Sequence, residues 1–328
     1  MGELNMVYKS LKTSIMGLVA GTSMIFGADA AFSGDWQPQK PITMVIMAGQ
    51  GGGADRIARL FQSIIQKENL ANMPILPVNK GGGSGAEALR FLKDQEGDAH
   101  TVMATLNSYY TTPLRNDIGV DIAEFNPLAR MAMDTFVLWV NADSDIKTLD
   151  DYVAAVSAAG GNWKMGGTGT GQEDSLVTAM LEKEFGIKHT YVPFKGGGTV
   201  AKNLVGNHID STVNNPAEQM GFWKAGKVRP IVAFTPDRLD VFPDVPTAKE
   251  LGHEIVYWMQ RSFVAPKGMP TAAVDYYTEL FEKLAATEEW QTYAKEKALV
   301  ADMITGSELQ DYFLDERAKH KQILASSE

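Results

Sequence analysis

The sequence contains no cysteine. That absence excludes thiol nucleophiles, disulfides, thiolate metal sites and a lipidated N-terminal cysteine. Positive charge is also short: 30 Lys and Arg stand against 40 Asp and Glu, a net charge of −10. Nucleic acid wants a basic face, so no nucleic-acid partner is expected. Any anionic ligand must be held by local donors, because the overall field repels it. Histidine is sparse too. His100, His189, His208, His253 and His320 are scattered without HExxH or other ligand spacing, so no metal site is expected. Beyond the first thirty residues, no stretch reaches the ~20 uninterrupted apolar residues of a membrane span.

Those first thirty residues form a separate object. Lys9 and Lys12 precede an apolar, small-residue run from Ile15 to Gly27, and Ala28-Asp29-Ala30 supplies an A-x-A cleavage site. The pattern predicts a cleaved export signal over residues 1–30 rather than a buried helix, and it is too short for a span. The mature chain then starts at Ala31, exported to the periplasm, soluble and not lipidated. Its net charge stays at −10, because Lys9 and Lys12 cancel Glu3 and Asp29.

What is present is ordinary for a globular protein: 328 residues, 45% hydrophobic and 21% charged, with room for two domains. The organising stretch is Ile42 to Ile65. A strand-like run, Ile42 to Ala48, leads into Gly49-Gln50-Gly51-Gly52-Gly53. Ile57, Leu60, Phe61, Ile64 and Ile65 then mark one face of a helix that runs to about Lys67. Strand, glycine loop and helix start aim free N–H groups and a positive dipole end at one point. This is an anion cradle.

Similar units follow. Ile75 to Val78, Gly81-Gly82-Gly83-Ser84-Gly85 and a helix from Ala86 to Lys93 form the second. A third strand, Thr101 to Thr105, ends in the polar and aromatic run from Leu106 to Thr112. Past a strong strand at Phe136 to Val140 the order repeats without clear identity. Trp163 to Met165, the loop Gly166 to Gly171 and a helix to Phe185 come first. Then come Thr190 to Phe194, the loop Lys195-Gly196-Gly197-Gly198, a helix to about Val205, and the strand Ile209 to Val213 ending in Asn214-Asn215. Such alternation predicts parallel α/β sheets with ligand loops at the strand ends. Ile255 to Val264 is a late mixed strand, followed only by helices at Ala272 to Leu284, about Trp290 to Lys297, and Glu308 to about Leu324. We expect crossings between two lobes near 136–141 and 255–262, the tail returning to the first lobe. A cleft between lobes can close on a small molecule.

Three chemical alternatives compete with simple binding. Gly49-x-Gly51-x-x-Ala54 fits a dinucleotide fingerprint, but the next strand ends in Asn79-Lys80, without the required carboxylate. Gly82-Gly83-Ser84-Gly85-Ala86 nearly matches G-x-S-x-G, yet its fifth position is Ala. Glu173-Asp174 could pass for paired carboxylates; adjacent helical residues point apart, and both suit a helix N-terminus. Nothing assembles base, nucleophile and orienting group. No cofactor is called for.

Seven stretches in order carry a family resemblance. They are KPITMVIMAGQGGGADRIAR (Lys40–Arg59), VNKGGGSGA (Val78–Ala86), GNWKMGGTGTGQED (Gly161–Asp174), YVPFKGGG (Tyr191–Gly198), VNNPAE (Val213–Glu218), GKVRPIVAF (Gly226–Phe234) and PDVPTAKELG (Pro243–Gly252). Together they resemble the Bug-type, or TctC-type, periplasmic receptors of tripartite tricarboxylate transporters. The resemblance implies an α/β type II periplasmic-binding-protein fold, two lobes with a double crossover and a ligand cleft between them. We place lobe 1 at 31–138 plus 257–328 and lobe 2 at 139–256. It also implies a non-enzymatic monomer that captures a small organic carboxylate for integral-membrane permease subunits. The competing class is an exported hydrolase or lyase acting on a carboxylate in the same cleft.

Carried over residue by residue, the resemblance points to Gly51, Gly52, Gly53, Gly83, Ser84, Thr105 and Asn107 as ligand contacts. From the second lobe it points to Thr168, Gly169, Thr170, Gln172, Lys195, Gly196 and Asn215. Many members carry a tryptophan and a glycine in the strand before the Ala-Pro, where this chain has Gln260-Arg261-Ser262. The stretches WKMGGTG, GQED and TVNNP look closer to the tricarboxylate branch, which leans the ligand toward a di- or tricarboxylate. Arg261 could clamp a second ligand carboxylate in bidentate fashion. Alternatively, it pairs with an acid of the protein and stiffens the hinge.

Overall fold

The structure, a computed structural model, describes residues 36–325. The expected export signal lies outside the described residues. In chain order, the first segment comprises β1 (Ile42–Ile46), α1 (Gly53–Lys67), β2 (Ile75–Asn79), α2 (Ala86–Lys93), β3 (Thr101–Thr105), α3 (Ser108–Arg115) and β4 (Asn126–Thr135). The middle holds β5 (Val137–Asn141), α4 (Leu149–Ala158), β6 (Lys164–Gly167), α5 (Glu173–Phe185), β7 (Thr190–Pro193), α6 (Gly197–Val205), β8 (Ser211–Asn214), α7 (Pro216–Lys224) and β9 (Val228–Ala233). The chain closes with β10 (Trp258–Ala265), α8 (Thr271–Ala285), α9 (Glu288–Glu296), β11 (Ile304–Thr305) and α10 (Gly306–Ala325). None of the described helices is long and apolar enough to cross a membrane.

The strands form two sheets, ordered β11-β4-β10-β3-β1-β2 and β7-β6-β8-β5-β9. In the first, β1 pairs in parallel with β2 and β3, and β10 runs antiparallel to β3 and β4. In the second, β6 pairs in parallel with β7 and β8, and β5 runs antiparallel to β8 and β9. The two orders match, with β1, β2, β3 and β10 answering to β6, β7, β8 and β5. The chain leaves the first sheet between β4 and β5 and returns between β9 and β10, a double crossover. This is the type II periplasmic-binding-protein fold, with the glycine loops at the carboxyl ends of the parallel strands of both sheets.

The C-terminal helices pack on the first sheet. Phe61 of α1 lies 5.4 Å from Phe263 of β10 and 4.9 Å from Trp290 of α9, ring centre to ring centre. Phe263 in turn stacks on Phe281 of α8 at 4.4 Å. The second sheet has its own cluster around Trp139, which meets Phe242 edge-on at 5.5 Å. One edge of the first sheet is β2, interrupted by Pro77. The other is the two-residue β11, whose Ile304 and Thr305 pair with Arg130 and Ala129 of β4.

Several elements, α4, α7, β9 and β11 among them, have no counterpart in the sequence expectations, and two others that differ bear on the site. The run after β3 is helical, with Tyr109 and Tyr110 fully buried. β4 was not foreseen, because its sequence NPLARMAMDT lacks alternation. Its Arg130 and Asp134 are buried and find partners far along the chain, Asp302 and Arg261.

Candidate functional site

Between the carboxyl ends of the two sheets lies a cavity of about 490 Å³, the size of a small-molecule site. Gly52, Gly53, Gly83 and Ser84 line it from the first sheet's loops. Thr168, Gly169, Gln172, Lys195, Gly196 and Asn215 line it from the second, and Arg261 of β10 joins them. Leu106, Phe136, Phe194 and Met259 give the wall an apolar part suited to a carbon skeleton.

Four expected contacts are not on that wall. Thr105 and Asn107 are buried behind it and tie β3 to β10. The Thr105 hydroxyl is 3.0 Å from Gln260 Nε2, and Asn107 Nδ2 donates to the Trp258 carbonyl at 2.8 Å. Asn107 Oδ1 accepts from the Gln260 N–H at 3.0 Å. With both ends of the amide used inside the protein, their role in the fold is to hold the crossover strand. Gly51 supplies the loop's positive φ of 77° and gives its N–H to Asp55 at 2.9 Å. Thr170 is exposed.

The loops of the two lobes meet closely. A Cβ on Gly49 would lie 1.8 Å from the Lys195 carbonyl oxygen, so only glycine permits that approach. Among the described residues, the N–H groups of Gly83, Ser84, Gly196 and Gly197 have no protein acceptor, and Lys195 has no acidic partner. These are the donors open to a ligand.

Several other donors at these loops and helix starts are occupied by the protein's own acids. Glu218 Oε1 accepts from the Gly53 N–H of α1 at 2.8 Å. Glu173 reaches from α5 to the start of α3, accepting from the Ser108 N–H at 2.6 Å and its hydroxyl at 3.1 Å. Asp174 accepts from the Thr168 N–H and from its hydroxyl, the latter at 2.7 Å. Glu87 accepts from the Gly82 N–H at 3.2 Å. Sequence reasoning missed Glu218, although the VNNPAE stretch contains it. Glu173 and Asp174 both stand in the first turn of α5 as expected, but the reach of Glu173 to α3 was not foreseen.

Arg261 is paired. Its Nε donates to Asp134 Oδ2 at 2.9 Å, its Nη2 donates to the same carboxylate, and Nη2 also reaches Asn215 Oδ1 at 3.2 Å. Asn215 Nδ2 donates to the Thr135 carbonyl at 2.7 Å, so its amide is also spent within the protein. The pair joins β10 to β4 beside the point where the chain first crosses between sheets.

With this geometry in place, comparison with known proteins is direct. The model of the tripartite tricarboxylate transporter family receptors, TctC, matches residues 57–327. The chain belongs to this family. A relative, the UPF0065 protein in the gbd 5′ region of Cupriavidus necator, is 30% identical over 270 residues, 81% of this chain and 82% of the relative. Among solved structures, the periplasmic binding protein BugD superposes with a TM-score of 0.84 at 20% identity, covering 88% of this chain and 98% of BugD. MatC from Rhodopseudomonas palustris, solved with bound malate, gives 0.80 at 21% identity, covering 87% and 99%. Members of the TctC family are solute-binding receptors, not enzymes.

In this TctC receptor the cavity's electrostatics are unusual for an anion site. Burial pushes the Glu173 carboxyl up to about 7, helped by neighbouring Asp174. Burial likewise pushes Glu218 up to about 7, with the Arg261 guanidinium working against it and Asp134 with it. Burial also raises Asp134, opposed by its Arg261 partner. Glu173 and Glu218 therefore hold less than their formal charge at neutral pH.

Proposed function

We propose that this receptor captures a small organic di- or tricarboxylate in the inter-lobe cavity and delivers it to the integral-membrane permease subunits of a tripartite tricarboxylate transporter. It acts as an exported, soluble monomer. We place its lobes at 31–138 plus 257–328 and at 139–256, and assign ligand contact to the wall residues of both. The observation that carries this is the set of open donors. Gly83 and Ser84 from one lobe and Gly196, Gly197 and Lys195 from the other surround one cavity. A carboxylate taken from water needs several charge-assisted donors, each contributing ~1.5–3 kcal/mol. Malate in MatC is a carboxylate ligand of the same size class and supports the choice.

A thermal-shift panel of di-, tri- and monocarboxylates with NAD and ATP tests it. A bound ligand stabilises by RT ln(1 + [L]/Kd), about 4 kcal/mol at a thousandfold excess over Kd. A shift with a di- or tricarboxylate, recovered unchanged afterwards, is expected. A shift with nucleotides alone would refute it.

A further inference from the structure

Among the acids on the cavity wall, Glu218 is placed unlike a solvated carboxylate. It is 6% exposed and lines the cavity. Its Oε1 accepts the Gly53 N–H at 2.8 Å. Its Oε2 lies against α6, where a Cβ on Gly197 would stand 1.9 Å from it, and no group of the described protein donates to it. Oε2 keeps accessible surface at the cavity wall, so a ligand that covers it without supplying a donor removes its water uncompensated, and a ligand that supplies one does not. The charges around it point the same way. Of the cations, Arg261 acts on it most, but Asp134 takes two of its hydrogen bonds, and Glu87, Glu173 and Asp174 share the same wall. Above about pH 7, where Glu218 is ionised, a ligand presenting only carboxylates brings like charge to it. One carrying an N–H or O–H beside its carboxylate can face both surfaces, the open N–H groups and the acid.

We propose that Glu218 sets the ligand class. Its Oε2 accepts a hydrogen bond from an ammonium or hydroxyl group of the ligand, so the cavity prefers amino- and hydroxy-substituted carboxylates to unsubstituted ones of equal length. This rests on the carboxylate-receptor function proposed above and narrows it. Ammonium should rank first, because it offsets the acid's charge as well as donating to it.

Calorimetric titration of the purified protein with succinate, malate and aspartate, and with glutarate, 2-hydroxyglutarate and glutamate, tests the ranking at fixed length. The substituted ligand of at least one series should bind about tenfold or more tighter than the unsubstituted one, the scale of one charge-assisted hydrogen bond. In Glu218→Gln the ammonium advantage should vanish. The hydroxyl advantage should shrink less, because an amide oxygen still accepts from O–H. Equal binding within each series by the wild type, which needs no variant, overturns the proposal. So does an ammonium preference that survives Glu218→Gln. If no carboxylate of any kind binds, the receptor function itself falls and takes this inference with it; if tricarboxylates bind and no donor preference exists, only the inference falls.

Discussion

At the residue scale, Arg261 and Asp134 form a pair that is 3% and 1% exposed by side chain. Removing one partner of a buried pair leaves the other charge stranded, which costs about 3–5 kcal/mol. Arg261→Gln is therefore expected to lower the unfolding free energy of the ligand-free protein, read from denaturant titration, by that amount. Affinities for a polycarboxylate and a monocarboxylate should change by similar factors. A selective loss of the polycarboxylate would instead give Arg261 a clamping role. Glu218 makes a second prediction. Its carboxyl is raised to about 7 in the fold, burial being the main cause. Its stabilising effect is complete below the unfolded value of ~4.3, declines as pH rises toward 7, and is flat above. His189 and His320, lowered by burial, act in the opposite sense below their usual value of ~6.5, so wild type alone is a poor gauge. The difference between Glu218→Gln and wild type isolates the acid. It should favour the variant by only about 1 kcal/mol at pH 5 and by a quantity on the order of 3–4 kcal/mol at pH 8.

At the scale of elements, the meeting of the loop after β1 with the loop after β7 depends on Gly49. Gly49→Ala places a methyl 1.8 Å from the Lys195 carbonyl oxygen, so the loops must part. Overpacking of ~1–3 kcal/mol would fall on the closed arrangement alone. We expect weaker ligand binding with little change in ligand-free stability. The ligand-saturated variant should also show a larger radius of gyration by X-ray scattering than ligand-saturated wild type. The glycine loops and their flanking strands and helices were legible because composition and period both speak within a few residues. α2 runs from Ala86 to Lys93 as its apolar spacing indicates. α3 was not legible, because the acid that meets its first N–H is Glu173, 65 positions away. β4 escaped for the same reason: Arg130 and Asp134 look like surface residues until Asp302 and Arg261 arrive. The cavity was located correctly by its loops, but occupation of several loop donors by internal acids is a tertiary fact that no local pattern carries.

At the scale of the whole molecule, the chain builds one sheet, leaves to build the second, and returns to finish the first. β10 inserts between β3 and β4, so residues 258–265 complete a sheet begun some two hundred positions earlier. The last return is the small strand β11, laid along β4 and continued by α10. β4 is ten residues long, and without β11 its outer side, held by Val300 at Met133, would offer its remaining N–H and C=O groups to any neighbouring copy. Proteins blunt such borders with very short strands, proline or a covering helix, and here Pro77 in β2 serves the opposite side. The final segment is thus a guard against self-association as much as a piece of core. A chain stopped before Ile304 should fold its second sheet and still fail as a protein, sedimenting as aggregates that the full chain, at equal concentration, does not form.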